Sequence, residues 1–385
     1  MSICKHTEFC GGCSMQGISY EQQLAIKEDQ VQKLLQEKNI HPREYREIQG
    51  SPDELGYRNK MEYTFGDMVK DGEMTLGMHQ KGRFMSIVTV DQCQLVDPDF
   101  NRILASVLEF CGQKGYVHYN KKSHQGFLRN LIIRKGVRTG ELLVNLVTSS
   151  QENLDESAFV SMLESLPLNN KIVGILHTIN DGLADFVYCD LLKVLSGRDY
   201  YEDEILGLRF RVSAFSFFQT NVDAVERLYR EALELMEDPE GKTIYDLYCG
   251  TGTISQALAL RAGHVIGVEL VEEAVAAARI NAELNGLKNC DFIAGDVLKV
   301  LDQVEEKPDV IVVDPPRMGI HPKAMDKILQ YGVPQILYIS CNPKTLAENL
   351  QHVNFYGYEV SVWKTYDNFP YTKHIETVTL LTRKG

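Results

Sequence analysis

Two rhythms of apolar and polar positions divide the chain. From about residue 206 onward, apolar runs of about five residues alternate with amphipathic stretches. That alternation marks strands buried on both faces and joined by covering helices. The runs fall at 243–248, 264–268, 291–293, 309–313 and 336–340. Two more, 359–363 and 377–381, leave no room for a helix between them, so they are expected to pair antiparallel. The reading for 206–385 is a doubly wound α/β domain with a mostly parallel seven-stranded sheet.

Between about 49 and 205 the pattern is strand-like, at 60–65, 84–90, 131–134, 142–147 and 171–177, with one helix over 97–111. This is expected to be an α+β domain rich in antiparallel sheet. Residues 1–48 contain a glycine-bearing loop with three cysteines and a polar helix over 20–38, too little to bury a core of their own.

Composition narrows the class. A length of 385 residues with 44% hydrophobic content suits two or three globular domains. No run of about 18 apolar residues occurs and the first residues carry no secretory signal, so a soluble cytoplasmic protein without a membrane partner is expected. A formal charge of -13 argues against indiscriminate coating of nucleic acid. A local basic patch remains open at Arg129, Arg134, Lys135 and Arg138; its other reading is the exposed face of a β-hairpin. Nine cysteines in a reducing compartment are core thiols, metal ligands or catalytic groups rather than a disulfide framework.

The run Asp246-Leu247-Tyr248-Cys249-Gly250-Thr251-Gly252-Thr253 ends one predicted strand and opens a helix, and its glycines let backbone approach a ligand. Glu269 closes the next strand, where a carboxylate can accept both ribose hydroxyls, and Asp296 closes the one after, within reach of an adenine. A dinucleotide enzyme would share the first two features but carries a third glycine where Ser255 stands. An adenosyl methyl donor is therefore favoured over a nicotinamide.

Asp314-Pro315-Pro316-Arg317 and Ser340-Cys341-Asn342-Pro343 each follow a hydrophobic strand, at the carboxyl edge where open α/β sheets bind ligands. If the final strand runs antiparallel, Glu376 at its start lies on that same edge. A thiol, a carboxylate and a methyl donor at one site answer a chemical problem. Carbon 5 of uracil is too weak a nucleophile to attack a sulfonium, but thiolate addition at C6 turns C5 into an enolate carbon. A base must then take the C5 proton so that the thiol can leave. Cys341 fits the first role and Glu376 the second. RNA cytosine-5 methylation would want a second Cys where Pro316 stands, and adenine N6 methylation an aromatic in place of Arg317.

Together with Phe218-Gln219-Thr220-Asn221 and the His374-Ile375-Glu376 ending, these motifs resemble the RNA uracil-5-methyltransferase family over nearly the whole chain. The resemblance implies a class I, Rossmann-like methyltransferase domain that uses S-adenosyl-L-methionine. It makes Cys341 the nucleophile and Glu376 the base, and maps cofactor contacts onto Gln219, Tyr248, Thr253, Glu269 and Asp314, besides the Gly250 and Gly252 turn and Asp296. Thr253 departs from the Asn common in the family.

Cys4, Cys10 and Cys13, spaced C-x5-C-x2-C, with Cys93 as fourth, suit zinc or an iron-sulfur cluster by spacing alone. The pattern is similar to that of the ribosomal RNA branch of the family, which implies a [4Fe-4S] cluster held by an N-terminal iron-sulfur segment, 1–48, with Cys93 supplied by 49–205. Cys111, Cys189, Cys249 and Cys290 are expected to be structural. The chain starts almost at Cys4, so it is expected to lack the small N-terminal β-barrel of many relatives. The resemblance then favours 23S ribosomal RNA as substrate, with transfer RNA second, rRNA processing as the process, and a monomer without a protein partner. The rival of another class is an iron-sulfur RNA-binding protein whose methyltransferase domain is inactive.

Overall fold

The computed structural model describes residues 3–183, 189–304 and 306–384, which divide into two compact units. The first takes the chain up to Gly17, Asp53–Glu204 and Val212–Phe215; the second takes Ile18–Pro52, Ile205–Arg211 and Ser216 onward. Segment 1–48 is thus shared: its cysteine loop belongs to the first unit and its helix to the second.

The second unit opens with α1 (Tyr20–Glu37), started by a capping box in which Ser19 and Gln22 satisfy each other's backbone N–H groups. A short strand, β1 (Glu44–Gln49), follows. In the first unit, β2 (Lys60–Asp67), β3 (Met74–Gln80), β4 (Arg83–Thr89), β5 (Leu128–Lys135), β6 (Glu141–Thr148), β7 (Lys171–Ile179) and β8 (Leu191–Gly197) form one sheet in the order β4-β3-β2-β5-β6-β7-β8. All neighbours are antiparallel except β6 and β7, whose parallel pairing is bridged by α3 (Glu156–Glu164). α2 (Pro98–Gln113) and α3 cover one face, where Phe100, Ile103, Leu104, Val107, Phe159 and Leu163 meet the inward residues of β5 and β6. A hairpin of β9 (Tyr200–Ile205) and β10 (Leu208–Ser213) comes next along the chain.

Of the four cations expected in a basic patch, Arg129, Arg134 and Lys135 turn to protein partners and Arg138 alone is exposed. Arg129 is buried, donates from one guanidinium nitrogen to the Asn180 and Gly182 carbonyls at 2.8 Å each, and stacks over Tyr119. Arg134 is 2% exposed and interacts with Tyr201, and Lys135 pairs with Asp97. The run lies on a strand buried on both faces over most of its length, so these three cations bond protein groups instead of facing solvent.

In the second unit, after α4 (Val222–Leu235), the strands are β11 (Thr243–Leu247), β12 (His264–Glu269), β13 (Cys290–Ala294), β14 (Val310–Val313), β15 (Gln335–Ser340), β16 (Tyr358–Tyr366) and β17 (Glu376–Arg383). The helices between them are α5 (Thr253–Ala259), α6 (Glu272–Leu284), α7 (Val297–Val300), α8 (Pro322–Gln330) and α9 (Pro343–Leu350). The order β1-β16-β17-β15-β14-β11-β12-β13 corrects the seven-stranded expectation: the sheet has eight strands and is mixed. β17 runs antiparallel to both neighbours, and the eighth strand, β1, pairs parallel with β16. Glu-Tyr-Arg-Glu-Ile-Gln at β1 has no apolar run because it closes the sheet's edge and is only partly buried. Val31 and Leu35 of α1 join the core of this unit beside Tyr245, Val313 and Trp363.

Candidate active site

The carboxyl edge of the second sheet collects the predicted side chains strand by strand. β11 ends at Leu247, and Tyr248 follows with φ 68, a left-handed conformation in a non-glycine residue. The turn is held there because the Tyr248 and Cys249 N–H groups both donate to the Val268 carbonyl, at 2.8 and 3.1 Å. Gly250 and Gly252 continue the turn with φ 54 and 77. A Cβ on Gly252 would meet Phe292 Cε1 at 2.7 Å and Ala278 Cβ at 3.0 Å, whereas one on Gly250 would enter open space. Packing demands the second glycine, and the first leaves a concave surface of bare backbone.

Glu269, at the end of β12, closes that surface. One carboxylate oxygen accepts from the Gly250 N–H at 3.1 Å and the other from the Val271 N–H at 3.0 Å. Each oxygen keeps lone-pair capacity for a diol. Asp296 follows β13 exposed, its carboxylate capping α7 at the Leu298 N–H, 2.9 Å. Thr253 is the first residue of α5. Beneath the turn, Asp246 is fully buried; one oxygen accepts from the Ser255 hydroxyl and the other has no protein partner. Burial pushes the Asp246 carboxyl up to about 7. An unpartnered buried carboxylate oxygen under bare backbone, with a diol acceptor beside it, fits a cationic, ribose-bearing ligand.

Cys341 and Glu376 meet through strand register. Ser340 of β15 pairs with Thr377 of β17, so the next step of the antiparallel ladder sets Cys341 opposite Glu376. Cβ atoms so opposed lie about 5 Å apart. Asp314, one residue past β14, donates its N–H to the Leu247 carbonyl at 3.3 Å, beside the Tyr248 turn. Burial pushes Glu376 up to about 8 and Asp314 to about 7; for Glu376 the Asp314 charge adds to this and Arg317 opposes it. The Cys341 thiol is pushed up to about 11, by burial first and then by the Glu376 and Asp314 charges, again opposed by Arg317. The thiol is therefore neutral at rest. Arg317 also hydrogen-bonds the His374 ring, and its carbonyl accepts from Asn342 Nδ2 at 3.0 Å, tying the loop after β14 to the loop that follows Cys341.

Gln219 donates to the Tyr229 hydroxyl at 2.9 Å. Tyr229, on α4, lies within the electrostatic reach of Asp314, Glu376 and Asp246. Sequence reasoning missed it, because a single aromatic on an amphipathic helix looks like any core residue. It also missed Gln23 and Lys27 of α1, both wholly buried and both bonded to the loop that precedes β17.

In the first unit, Cys10 bridges to Gln80, the Gly11 N–H donates to the His79 carbonyl, and the Lys81 N–H donates to the Phe9 carbonyl. Cys93 is held by Asn101, which binds both its N–H and its carbonyl at 3.0 Å. Every pair among Cys4, Cys10, Cys13 and Cys93 is close enough for one thiolate's charge to raise another's pKa, and burial pushes Cys13 to about 12 and Cys93 to about 11. Four gathered thiols are the donor chemistry of a thiolate-bound metal centre. Their arrangement is not that of a ligated one: among the described residues no group of three or more His, Cys, Asp or Glu side chains is disposed to hold a metal ion. Cys111, Cys249 and Cys290 are buried and Cys189 partly so. Among the described residues no helix is long and apolar enough to cross a membrane.

A family profile described as tRNA (Uracil-5-)-methyltransferase matches residues 192–384. An uncharacterized RNA methyltransferase of Clostridium acetobutylicum is 51% identical over 99% of this chain and 84% of its own length. One from Caldanaerobacter subterraneus is 48% identical over 99% and 85%. Among solved structures, the tRNA (uracil-54, C5)-methyltransferase of Pyrococcus abyssi in complex with S-adenosyl-L-homocysteine is 28% identical, with a TM-score of 0.80, covering 97% of this chain and 86% of that one.

Proposed function

The chain belongs to the RNA uracil-5-methyltransferase family, and on that premise we propose that it methylates carbon 5 of a uridine in structured RNA, with Cys341 as nucleophile and Glu376 as base. The observation that carries the reading is the register of β15 and β17, which sets the thiol opposite the carboxylate on the edge that bears the glycine turn.

S-adenosyl-L-methionine, when bound, supplies an electrophilic methyl group. Gly250, Gly252 and Tyr248 would line its cradle, Glu269 would accept the ribose hydroxyls, and Gln219, Thr253, Asp296 and Asp314 would complete the contacts. The target uracil must leave its stack to reach Cys341. Cys341, its proton released to water, would add to C6, and C5 would then take the methyl group as the donor's S–C bond breaks and S-adenosyl-L-homocysteine leaves. Glu376, once it has given up its own proton and stands as the carboxylate, takes the C5 proton, the C–H pair restores the C5–C6 double bond, and the C6–S bond breaks onto Cys341. Arg317, beside both groups, favours their charged forms.

Cys4, Cys10, Cys13 and Cys93 would hold a [4Fe-4S] cluster with a structural or RNA-positioning role, a reading supported by four thiols within electrostatic reach of one another and by the resemblance. The four-cysteine pattern favours 23S ribosomal RNA as substrate. Transfer RNA is the second reading, favoured by the Pyrococcus abyssi enzyme. Mapping 5-methyluridine by mass spectrometry in both RNA pools, from cells with and without the gene, decides: loss of one 23S mark supports the first reading and loss of a transfer RNA mark the second. No loss in either pool contradicts the assignment.

A further inference from the structure

The loop between β16 and β17 delivers Glu376, and four of its residues are bonded by the segment 18–52 and the start of α4. Lys27 of α1 donates from Nζ to Asp367 at 2.7 Å and to the Phe369 carbonyl at 3.3 Å, with both charged side chains wholly buried. One turn earlier, Gln23 accepts from the Tyr371 N–H at 2.8 Å and donates to the Ile18 carbonyl at 3.0 Å. Asn221 donates to the Asn368 carbonyl at 2.9 Å, and the Asp367 N–H donates to the Gln49 carbonyl at 2.8 Å.

The helix divides its buried face between two tasks. Gln23, Lys27, Val31 and Leu35 recur at every fourth position; the last two join the apolar core, and the first two hold the loop. Burying a lysine and a glutamine is unfavourable unless every polar atom finds a partner, and an apolar pair would pack this helix equally well. What the polar pair adds is direction. Tyr371 sits at φ 65, a left-handed conformation that a non-glycine residue keeps only where neighbours enforce it. Its N–H is the group that Gln23 holds. From there, Thr372 binds the Phe369 carbonyl and the His374 N–H, and β17 begins at Glu376.

We infer that Lys27 and Gln23 are positioning residues for the proton-removal step, holding the 367–375 loop so that Glu376 faces C5 of the methylated adduct. The inference rests on the proposed roles of Cys341 and Glu376. Loosening the loop leaves addition and methyl transfer to Cys341 and the cofactor cradle, but slows the step in which C5–H passes to Glu376 and the C6–S bond breaks. Methylated RNA then stays attached to Cys341.

The test is a single-turnover reaction with methyl-labelled S-adenosylmethionine and RNA from cells lacking the gene, quenched in denaturant, with label counted in free RNA and in protein-bound RNA. The variants are Lys27→Met/Asp367→Leu, which removes both charges together, and Gln23→Leu, which leaves the ion pair intact should the double variant not fold. Expected is a several-fold rise in protein-bound label, with release slowed roughly tenfold to a hundredfold and methyl transfer within about twofold of wild type. Glu376→Gln should accumulate the same adduct. Transfer and release falling together, or neither changing, overturns the clamp. Absence of adduct in Glu376→Gln overturns the reading of Glu376 beneath it, and accumulation there but not in the clamp variants overturns the clamp alone.

Discussion

Cys341 and Glu376 are both held in their neutral forms at rest, which keeps two negative charges from facing each other in a low-dielectric pocket. That arrangement has a cost in stability with a definite sign. A carboxyl whose folded pKa lies near 8 contributes stability below its unfolded pKa of about 4.3 and loses it as pH rises through about 8. Glu376→Gln removes the loss, so it should raise Tm relative to wild type more at pH 8 than at pH 5, as scanning calorimetry would read. A larger gain at pH 5 would contradict the burial argument. Cys341→Ala should cut turnover by at least about a thousandfold while leaving cofactor binding intact, as single-turnover assays and titration calorimetry would read.

At the scale of elements, β11, β12, β14 and β15 were legible because they are buried on both faces along most of their length and read as apolar runs. The antiparallel last pair was legible because no helix fits between its strands. β1 was not: its charged, edge-strand composition looks like a loop. Lys27 was not legible either, because a lysine on a polar helix reads as solvent-facing, and its partner Asp367 is 340 residues away in sequence. The site followed the same division. Cys341, Glu376 and Asp314 lie at strand ends, where topology alone collects them, whereas Tyr229, Gln23 and Lys27 are placed beside them by packing that no local pattern encodes. The turn after β11 offers a prediction at this scale. Gly252→Ala forces a Cβ to 2.7 Å from Phe292 at φ 77, so it should destabilise by about 1–3 kcal/mol and weaken S-adenosylmethionine binding, measured by denaturation and calorimetry.

At the scale of the whole molecule, Cys341 and Glu376 fall in one unit and Cys4, Cys10, Cys13 and Cys93 in the other. Protein isolated without oxygen should contain about four iron and four sulfide per chain, lost together in Cys13→Ser and Cys93→Ser. Stoichiometric zinc without sulfide would contradict the cluster. The central claim, that Cys341 adds covalently to a uracil, has a more direct test. A fluorine at C5 cannot be removed as a proton by Glu376, so the adduct has no way to resolve. Wild-type protein incubated with 5-fluorouridine-substituted RNA and S-adenosylmethionine should form a covalent complex that survives denaturing electrophoresis, and Cys341→Ala should form none; an equal yield from the variant, or none from wild type with an RNA it methylates, would contradict the account.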